Sequence, residues 1–362
     1  MIAVSLFSSG GIGEILLKEL GIDVVCANEL IAKRADVYKE IHGDHIVTGD
    51  IRDESVITQI KDSCELHKPD LLIATPPCQG FSTLGKNKNN EDFLLDQRNY
   101  LIFDIISLIK SQNFKFVLIE NVARFLDLKM PRNGEIIDII EVIKEELGTS
   151  YLIQYEVLNA KDHFVPQTRP RSFIKLVHRD YSLIKWEWPS KQTEITLRQS
   201  IGFLPSLEAG ESSNYHPLHY AKQHNERDIL AMKHTPEGKS AMKNAKYYPK
   251  RKDGKKISGF HNTYKRMSWD HPAHARTTNS GNIGSHNNVH PGRMLKDGTY
   301  SDARVLTLLE TFIVTGIPQD LVIPVWASDA FIRTLIGEAV PPPLMREVLK
   351  PLINEFREIH KK

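Results

Sequence analysis

The sequence predicts an α/β protein, with a doubly wound, mostly parallel sheet and a second, smaller domain. In the first 120 residues, short apolar runs alternate with amphipathic stretches. From about residue 181 to 266 the apolar periodicity weakens and turn residues become frequent. An apolar pattern typical of a buried core returns over residues 302–317. We therefore expect residues 1–181 to begin a large domain, residues 182–266 to form a second one, and residues 267–362 to return to the first.

Each element of the large domain is predicted from its own apolar pattern. Seven runs indicate strands, at residues 2–7, 22–28, 45–50, 70–74, 114–120, 151–160 and 171–178. Amphipathic stretches indicate helices at residues 11–20, 30–41, 54–67, 97–111 and 343–359. Ligands of such sheets bind at the carboxyl ends of the strands, where this sequence places its polar motifs.

Composition and charge exclude several protein classes. The chain has 362 residues, 41% of them hydrophobic, with no stretch of about 20 apolar residues and no signal segment, so we expect neither membrane insertion nor export. Three unpaired cysteines argue against a disulfide framework and favour the cytoplasm. Residues 215–266 hold 13 Lys and Arg against 4 Asp and Glu, although the whole chain carries only +2. Such a basic segment is typical of phosphate-backbone binding, or of a solvated loop.

A glycine-rich turn, FSSGGIGE at residues 7–14, follows the first predicted strand. Glu29 ends the second strand, roughly 20 residues beyond Gly10, where an acid commonly binds ribose hydroxyls. Asp50 ends the third strand and suits an adenine amino group. The turn lacks the G-x-G-x-x-G pattern of pyrophosphate-binding loops, so a phosphate-free nucleoside such as S-adenosylmethionine fits better than NAD. A turn that serves only packing is the alternative.

The stretch TPPCQGFSTLGK at residues 75–86 presents Cys78 between two prolines and a glycine. This rigid backbone suits a thiol that adds transiently to a substrate, although a cysteine after apolar residues is commonly an inert packing residue. Glu120 ends the fifth predicted strand, where a carboxyl group can donate a proton or cap a helix. Thiol and acid at neighbouring strand ends favour covalent addition to an electron-poor ring.

The connector HFVPQTRPRSFIKL at residues 163–176 adds Gln167, Arg169 and Arg171. The two arginines are two residues apart on an extended segment, so we expect both to project to one side. Their guanidinium groups can bind a carbonyl oxygen or phosphates, or form an ordinary surface salt bridge.

Taken together, these residues resemble the cytosine-5 DNA methyltransferases. PPCQGFS resembles the nucleophile motif of that family, ENV its glutamate motif and QTRPRSF its Gln-x-Arg-x-Arg motif. DQRNYLIFDI, RVLTLLE and IGEAVPP resemble three further motifs, in the order of the family. The chain departs from the pattern at FSSGGIG, at Gly337-Glu338 in place of Gly-Asn, and at Leu30 in place of an aromatic residue over adenine.

The resemblance implies a Rossmann-like S-adenosylmethionine-dependent methyltransferase sheet with a target-recognition domain at residues 182–266. It implies that Cys78 adds to carbon 6 of a flipped cytosine, that Glu120 contacts N3, and that Arg169 or Arg171 holds O2. The cofactor contacts it implies are Phe7, Ser8, Ser9, Gly10, Gly11, Gly13, Glu29, Leu30, Asp50, Ile51, Pro76, Glu338 and Ala339. The DNA contacts it implies are Gln79, Ser82, Lys86, Gln167, Lys250, Arg251, Lys255, Lys256 and Arg266.

The expected partner is double-stranded DNA, bound by a cytoplasmic, nucleoid-associated monomer, with a cognate restriction endonuclease as a genetic partner only. No metal is expected, since the histidine pairs HPLH and HPAH have a proline between them and no cysteine nearby. An RNA cytosine methyltransferase is the nearest alternative, although the large insert favours DNA. A non-catalytic nucleic-acid-binding module, a nicotinamide dehydrogenase and an orphan regulatory methyltransferase are the others.

Overall fold

The computed structural model describes residues 1–77, 97–132, 135–251, 253–257 and 262–360. The chain divides into two compact units. The first, called the sheet unit, comprises Met1–Asn159, Pro170–Ser190 and Met345–Lys362. The second unit comprises Ala160–Arg169 and Lys191–Leu344, so it extends beyond the predicted insert of residues 182–266. In the described part of the chain, every helix is too short or too polar to span a lipid bilayer.

Strands and helices alternate in the sheet unit much as the apolar runs predict, and the bounds below are those of both units. The strands are β1 (Ile2–Leu6), β2 (Asp23–Glu29), β3 (Ile46–Thr48), β4 (Leu71–Ala74), β5 (Phe116–Val122), β6 (Lys129–Arg132), β7 (Glu135–Asp138), β8 (Tyr151–Asn159), β9 (Gln167–Thr168), β10 (Pro170–His178) and β11 (Ala273–His274). The α-helices are α1 (Ala32–His42), α2 (Glu54–His67), α3 (Leu101–Gln112), α4 (Ile139–Leu147), α5 (Leu197–Ile201), α6 (Glu226–Lys233), α7 (Leu308–Thr315), α8 (Asp329–Glu338) and α9 (Pro342–His360).

Seven strands form one sheet in the order β3-β2-β1-β4-β5-β10-β8. The first five in this order are parallel to one another, and β10 is antiparallel to both β5 and β8. The carboxyl ends of β1, β2, β4 and β5 therefore reach the same edge of the sheet, which is where ligands of such sheets bind. The predicted α/β fold with a mostly parallel sheet is confirmed.

The helices of the sheet unit bury one apolar face against the strands. In α2 the buried positions are Val56, Ile60 and Cys64, four residues apart, and the helix ends at Lys68 in the left-handed conformation. Cys64 and Cys26 are both buried free thiols, and burial raises the pKa of each. These two cysteines are packing residues of the core.

The helix predicted over residues 11–20 is instead two short 3-10 turns, Ile12–Glu14 and Lys18–Leu20. The buried carboxylate of Glu14 accepts hydrogen bonds from Ser5 Oγ at 2.6 Å and from the Tyr38 hydroxyl at 2.9 Å. We attribute the tight turns to these bonds, which fix the segment to β1 and α1. Gly21 ends the segment as predicted, with φ of 72°.

The second unit has little regular structure and a core of its own. Apolar side chains from α5, α7 and the loops between them, including Trp269, pack together. Arg304 is fully buried in this unit and binds both oxygens of Glu310, at 2.7 and 3.0 Å, and Asp302 at 3.0 Å. Thr307 and Glu310 form a capping box at the start of α7.

Candidate active site

The glycine-rich turn after β1 has an unusual backbone. Phe7 and Ser9 have φ of 62° and 51°, which non-glycine residues rarely adopt. Gly11 has φ of 73°, and a Cβ there would lie 2.4 Å from the ring of His42, whose Nε2 lies 2.9 Å from the Gly11 carbonyl. A side chain at this position would therefore be strained and would displace the His42 ring. Ser8 is buried and Ser9 partly buried.

The Glu29 carboxylate holds this turn in place. One oxygen accepts from the Ser9 amide at 3.0 Å and the other from the Ile31 amide at 2.9 Å, and the residue is 5% exposed. Leu30 between these two contacts is 59% exposed. Glu29 thus links the ends of β1 and β2, and each carboxylate oxygen keeps a lone pair for a further donor.

The end of β3 carries Asp50, which forms an ion pair with Arg52. The hydrogen bond from Arg52 lowers the pKa of Asp50, so the carboxylate is ionised and can accept from an amino group. Ile51 beside it is buried in the core of the sheet unit. Asn28, which the sequence analysis did not single out, donates to the carbonyls of Val47 and Gly49 and joins β2 to β3.

Glu120, on β5, lies beside Arg171, on β10. The Arg171 Nε is 3.1 Å from Glu120 Oε1, and both side chains are largely buried. Burial lowers the pKa of Arg171, while the Glu120 carboxylate raises it. Antiparallel pairing of β10 with β5 sets this contact, because Arg171 lies opposite Val122 and Phe173 opposite Glu120.

Asn121 connects β5 to the segment that precedes Cys78. Its side-chain amide donates to the Pro76 carbonyl at 2.9 Å. The hydroxyl of the neighbouring Thr75 donates to the Phe7 carbonyl at 3.1 Å. The chain leaving β4 is therefore fixed to both the glycine-rich turn and the Glu120 strand. Cys78, Gln79, Ser82 and Lys86 lie outside the described residues.

Arg169 is separated from Arg171, contrary to the expectation that both project together. Strand β9 ends at Thr168 and β10 begins at Pro170, so the alternation of one continuous strand does not apply. The buried Arg169 guanidinium donates to the carbonyls of Arg276, Gly337 and Ala339 within the second unit, at 2.7 to 2.9 Å.

The neighbourhood of Gly337 is tightly packed. A Cβ on Gly337 would lie 2.3 Å from the Thr278 amide nitrogen. Glu338 is the exposed last residue of α8, and the Ala339 amide donates to Leu335. Arg169 therefore fixes the backbone of the segment that carries two expected cofactor contacts, Glu338 and Ala339.

Two of the expected DNA contacts are structural residues instead. Gln167 is 0% exposed; its amide nitrogen donates to Val314 and Thr315, and its oxygen accepts from Arg276. Arg266 is also 0% exposed and donates to backbone carbonyls, among them those of Thr235 and His290. Neither side chain is accessible to a phosphate, so both assignments are corrected.

The four other described DNA candidates lie on a short basic hairpin, which the structure describes at residues 250–251 and 253–256. Lys250, Arg251, Lys255 and Lys256 are all exposed. Lys250 pairs with Lys256 across the hairpin, and both ammonium groups lie 5.0 Å from the Tyr248 ring. This hairpin concentrates positive charge on one small surface.

Comparison with known proteins agrees with this geometry. The family described as C-5 cytosine-specific DNA methylase matches residues 1–354. The chain is 42% identical to the Type II methyltransferase M1.HgaI of Avibacterium volantium, over 98% of this chain and 99% of that protein.

Solved structures share the fold at low sequence identity. An E. coli prophage protein described as a DNA modification methyltransferase has a TM-score of 0.70 at 18% identity, covering 99% of both chains. The Entamoeba histolytica methyltransferase EhMeth has a TM-score of 0.66 at 12% identity, covering 98% of both chains.

Proposed function

Because the chain belongs to the C-5 cytosine-specific DNA methylase family, we propose that it methylates carbon 5 of cytosine at a specific sequence in double-stranded DNA. The methyl donor is S-adenosylmethionine, and Cys78 is the nucleophile. The observation that carries the proposal is the Glu120 and Arg171 pair on β5 and β10, where Asn121 holds the chain two residues before Cys78.

The residues at the ends of β1, β2 and β3 fit S-adenosylmethionine. The strained turn at Phe7 and Ser9 offers backbone amides, Glu29 offers carboxylate oxygens for ribose, and Asp50 offers an ionised acceptor for the adenine amino group. Exposed Leu30 offers an apolar surface for the adenine ring. The bound cofactor supplies an electrophilic methyl group.

Four side-chain roles follow for the cytosine. The Cys78 thiolate adds to carbon 6, and Glu120 hydrogen-bonds or protonates N3, so that carbon 5 becomes nucleophilic. Arg171 holds O2 and orients the Glu120 carboxylate. Asn121 positions the backbone that leads to Cys78. Carbon 5 would take the methyl group of S-adenosylmethionine, with S-adenosylhomocysteine as the leaving group. Loss of the carbon 5 proton and of the thiolate would then restore the aromatic ring and free the enzyme.

A paired cytosine cannot present its face to a thiol inside the duplex, so the base is rotated out of the helix. The basic hairpin of residues 250–256 supports phosphate binding, which would make affinity depend strongly on salt. By methylating its target sites, the protein protects its host's DNA from a cognate restriction endonuclease. It acts as a monomer.

The test is methylation of unmethylated genomic DNA by the purified protein with S-adenosylmethionine, mapped by bisulfite sequencing. Protected cytosines at one short recurring sequence are expected. Cys78→Ala should abolish methylation and retain DNA binding, whereas the matched variant Cys64→Ala, which removes a buried core thiol, should remain active. Methylation by the Cys78→Ala protein would refute the covalent step.

A further inference from the structure

A cleft in the second unit extends beyond the segment of residues 182–266, where the sequence places target recognition. It has a volume of about 420 Å³, and its lining includes Arg198, Glu237, Trp269, Arg293, Met294 and Tyr300. Four of these six residues follow residue 266. The lining combines cationic, anionic and aromatic groups, which is the chemistry needed to bind a nucleobase.

One wall of the cleft is a well-formed hairpin at residues 293–301. Met294 pairs with Tyr300, the Leu295 amide donates to Thr299 at 2.7 Å, and Gly298 turns the chain with φ of 80°. Asp297 accepts from the Thr299 amide and hydroxyl, at 2.9 and 2.7 Å. The hairpin therefore holds its exposed residues in fixed positions.

Hydrogen bonds and a ring contact also fix Trp269 and Glu237 in the lining of the cleft. The Trp269 indole donates to the Gly292 carbonyl at 2.6 Å, and its ring meets His290 edge to face at 5.2 Å. Glu237 Oε1 accepts from the Trp269 amide at 2.8 Å and from the Ser268 hydroxyl. Among the described residues no hydrogen bond reaches the second oxygen of Glu237, so this oxygen can accept a donor from a ligand.

The two arginines of the cleft differ in their partners. Arg198 binds Asp270 at 2.8 Å, so its charge is neutralised. Arg293 is exposed, and within the described part of the chain its guanidinium forms no ion pair. Arg293 and Glu237 thus offer a donor fork and a carboxylate acceptor in one cleft. The Arg293 fork can donate to O6 and N7 of guanine, and the Glu237 carboxylate can accept from the amino group of cytosine.

We propose that Arg293 and Glu237 read base edges of the target sequence, so that recognition extends to residues 267–301. This inference rests on the proposed function and deepens it. Exposed Met294 and Leu295 beside Arg293 supply the apolar contact that accompanies base reading in a groove.

The experiment expresses wild type, Arg293→Ala, Arg293→Lys and Glu237→Gln in a host without cytosine methylation and maps 5-methylcytosine by bisulfite sequencing. Arg179→Ala, which changes an exposed arginine of the sheet unit, is the matched control. We expect roughly ten-fold or greater loss of discrimination at one base pair for each cleft variant, with the rest of the site kept. Arg293→Lys should also relax that position, since lysine lacks the fork.

The wild-type pattern tests the proposed function separately. If wild type gives no 5-methylcytosine, the proposed function fails. If wild type methylates one defined site and all three cleft variants keep the identical site, or lose methylation equally at every site, the base-reading role is overturned. Thermal melting of each variant verifies that Glu237→Gln, which retains an oxygen acceptor for Trp269, is folded.

Discussion

The side-chain amide of Asn121 donates to the backbone carbonyl of Pro76 at 2.9 Å, across the carboxyl ends of β5 and β4. The same side chain accepts from the Val122 amide at 2.8 Å, so its orientation is fixed from both sides. Asn121 follows Glu120 directly, and Pro76 lies two residues before Cys78. One side chain therefore couples the strand of the proposed acid to the segment of the proposed nucleophile.

Asn121→Asp should reduce methyl transfer by about ten-fold or more, because the buried Pro76 carbonyl loses its donor. Cofactor affinity should be retained, since Thr75 still donates to Phe7. Initial rates with labelled S-adenosylmethionine and calorimetric binding of the cofactor measure the two effects. The exposed Asn214→Asp is the control. Full activity of Asn121→Asp would show that the Pro76 contact does not position the nucleophile.

Arg171→Lys and Arg169→Lys should fail in different ways. Lysine at 171 keeps the charge near Glu120 but loses the guanidinium fork, so turnover should fall by about ten-fold or more with little change in the melting temperature. Lysine at 169 loses bonds to buried carbonyls and should lower the free energy of unfolding by about 1–3 kcal/mol. Rates and urea denaturation separate the two. If both variants lost turnover and unfolding free energy to the same extent, the separate roles of Arg171 and Arg169 would be contradicted.

The sequence predicts the sheet and the edge at which its polar motifs meet, because buried strands need continuous apolar runs and parallel strands end together. It does not predict which arginine faces Glu120. That depends on a break between β9 and β10, and the rule that side chains alternate applies only within one strand.

The burial of Arg266 cannot be predicted from the sequence, for a related reason. The sequence shows a positive charge within a basic segment, whereas burial depends on carbonyls contributed by residues up to 35 positions away, such as Ser301. Asn121 likewise stands out in the sequence only as part of a motif, since a hydrogen bond to Pro76, 45 residues away, leaves no local pattern.

The basic hairpin should govern the salt dependence of DNA binding. In the double variant Lys250→Ala with Lys256→Ala, the slope of log affinity against log salt should fall by roughly 0.9 for every phosphate that the protein no longer neutralises. The methylated sequence should stay the same, because phosphate contacts carry no base information. Fluorescence anisotropy at several salt concentrations measures the slope. Lys39→Ala, an exposed lysine of α1, should leave it unchanged, and an unchanged slope in the double variant would remove the hairpin from the interface.

The second unit should be acid-sensitive through His290. Burial, with the nearby Arg304, lowers the pKa of His290 from 6.5 to about 4, so the folded protein keeps this ring neutral. The unfolded chain binds a proton first as the pH falls below 6.5, and stability is therefore lost between pH 6.5 and 4, by about 3 kcal/mol.

Burial alone would raise the pKa of Glu310, but Arg304 outweighs it and lowers the value from 4.5 to about 2. Its stabilisation is present above pH 4.5 and is lost as the pH falls towards 2, below the window of His290. Urea unfolding between pH 7 and 4.5 measures the loss from His290 together with His224 and His274, whose pKa values burial also lowers to about 4. His290→Asn should flatten the curve in part in that window, and an unchanged pH dependence in the variant would assign the loss to the other histidines.

Gly11→Ala should disrupt the proposed cofactor site through both strain and collision. Gly11 has φ of 73°, and its new Cβ would lie 2.4 Å from the His42 ring. Gly238 supplies a matched control, because its φ is 71° and nothing lies within 4 Å of its Cβ position. Gly238→Ala should therefore cost only the backbone strain, about 1 kcal/mol, and keep cofactor affinity.

Gly11→Ala should cost more stability and weaken S-adenosylmethionine binding by about ten-fold or more, because the ring of His42 must move away from the Gly11 carbonyl. Calorimetry measures the cofactor affinity of both variants, and thermal melting measures their stability. Equal losses of stability and unchanged cofactor affinity would mean that the packing of His42 against Gly11 does not shape the site.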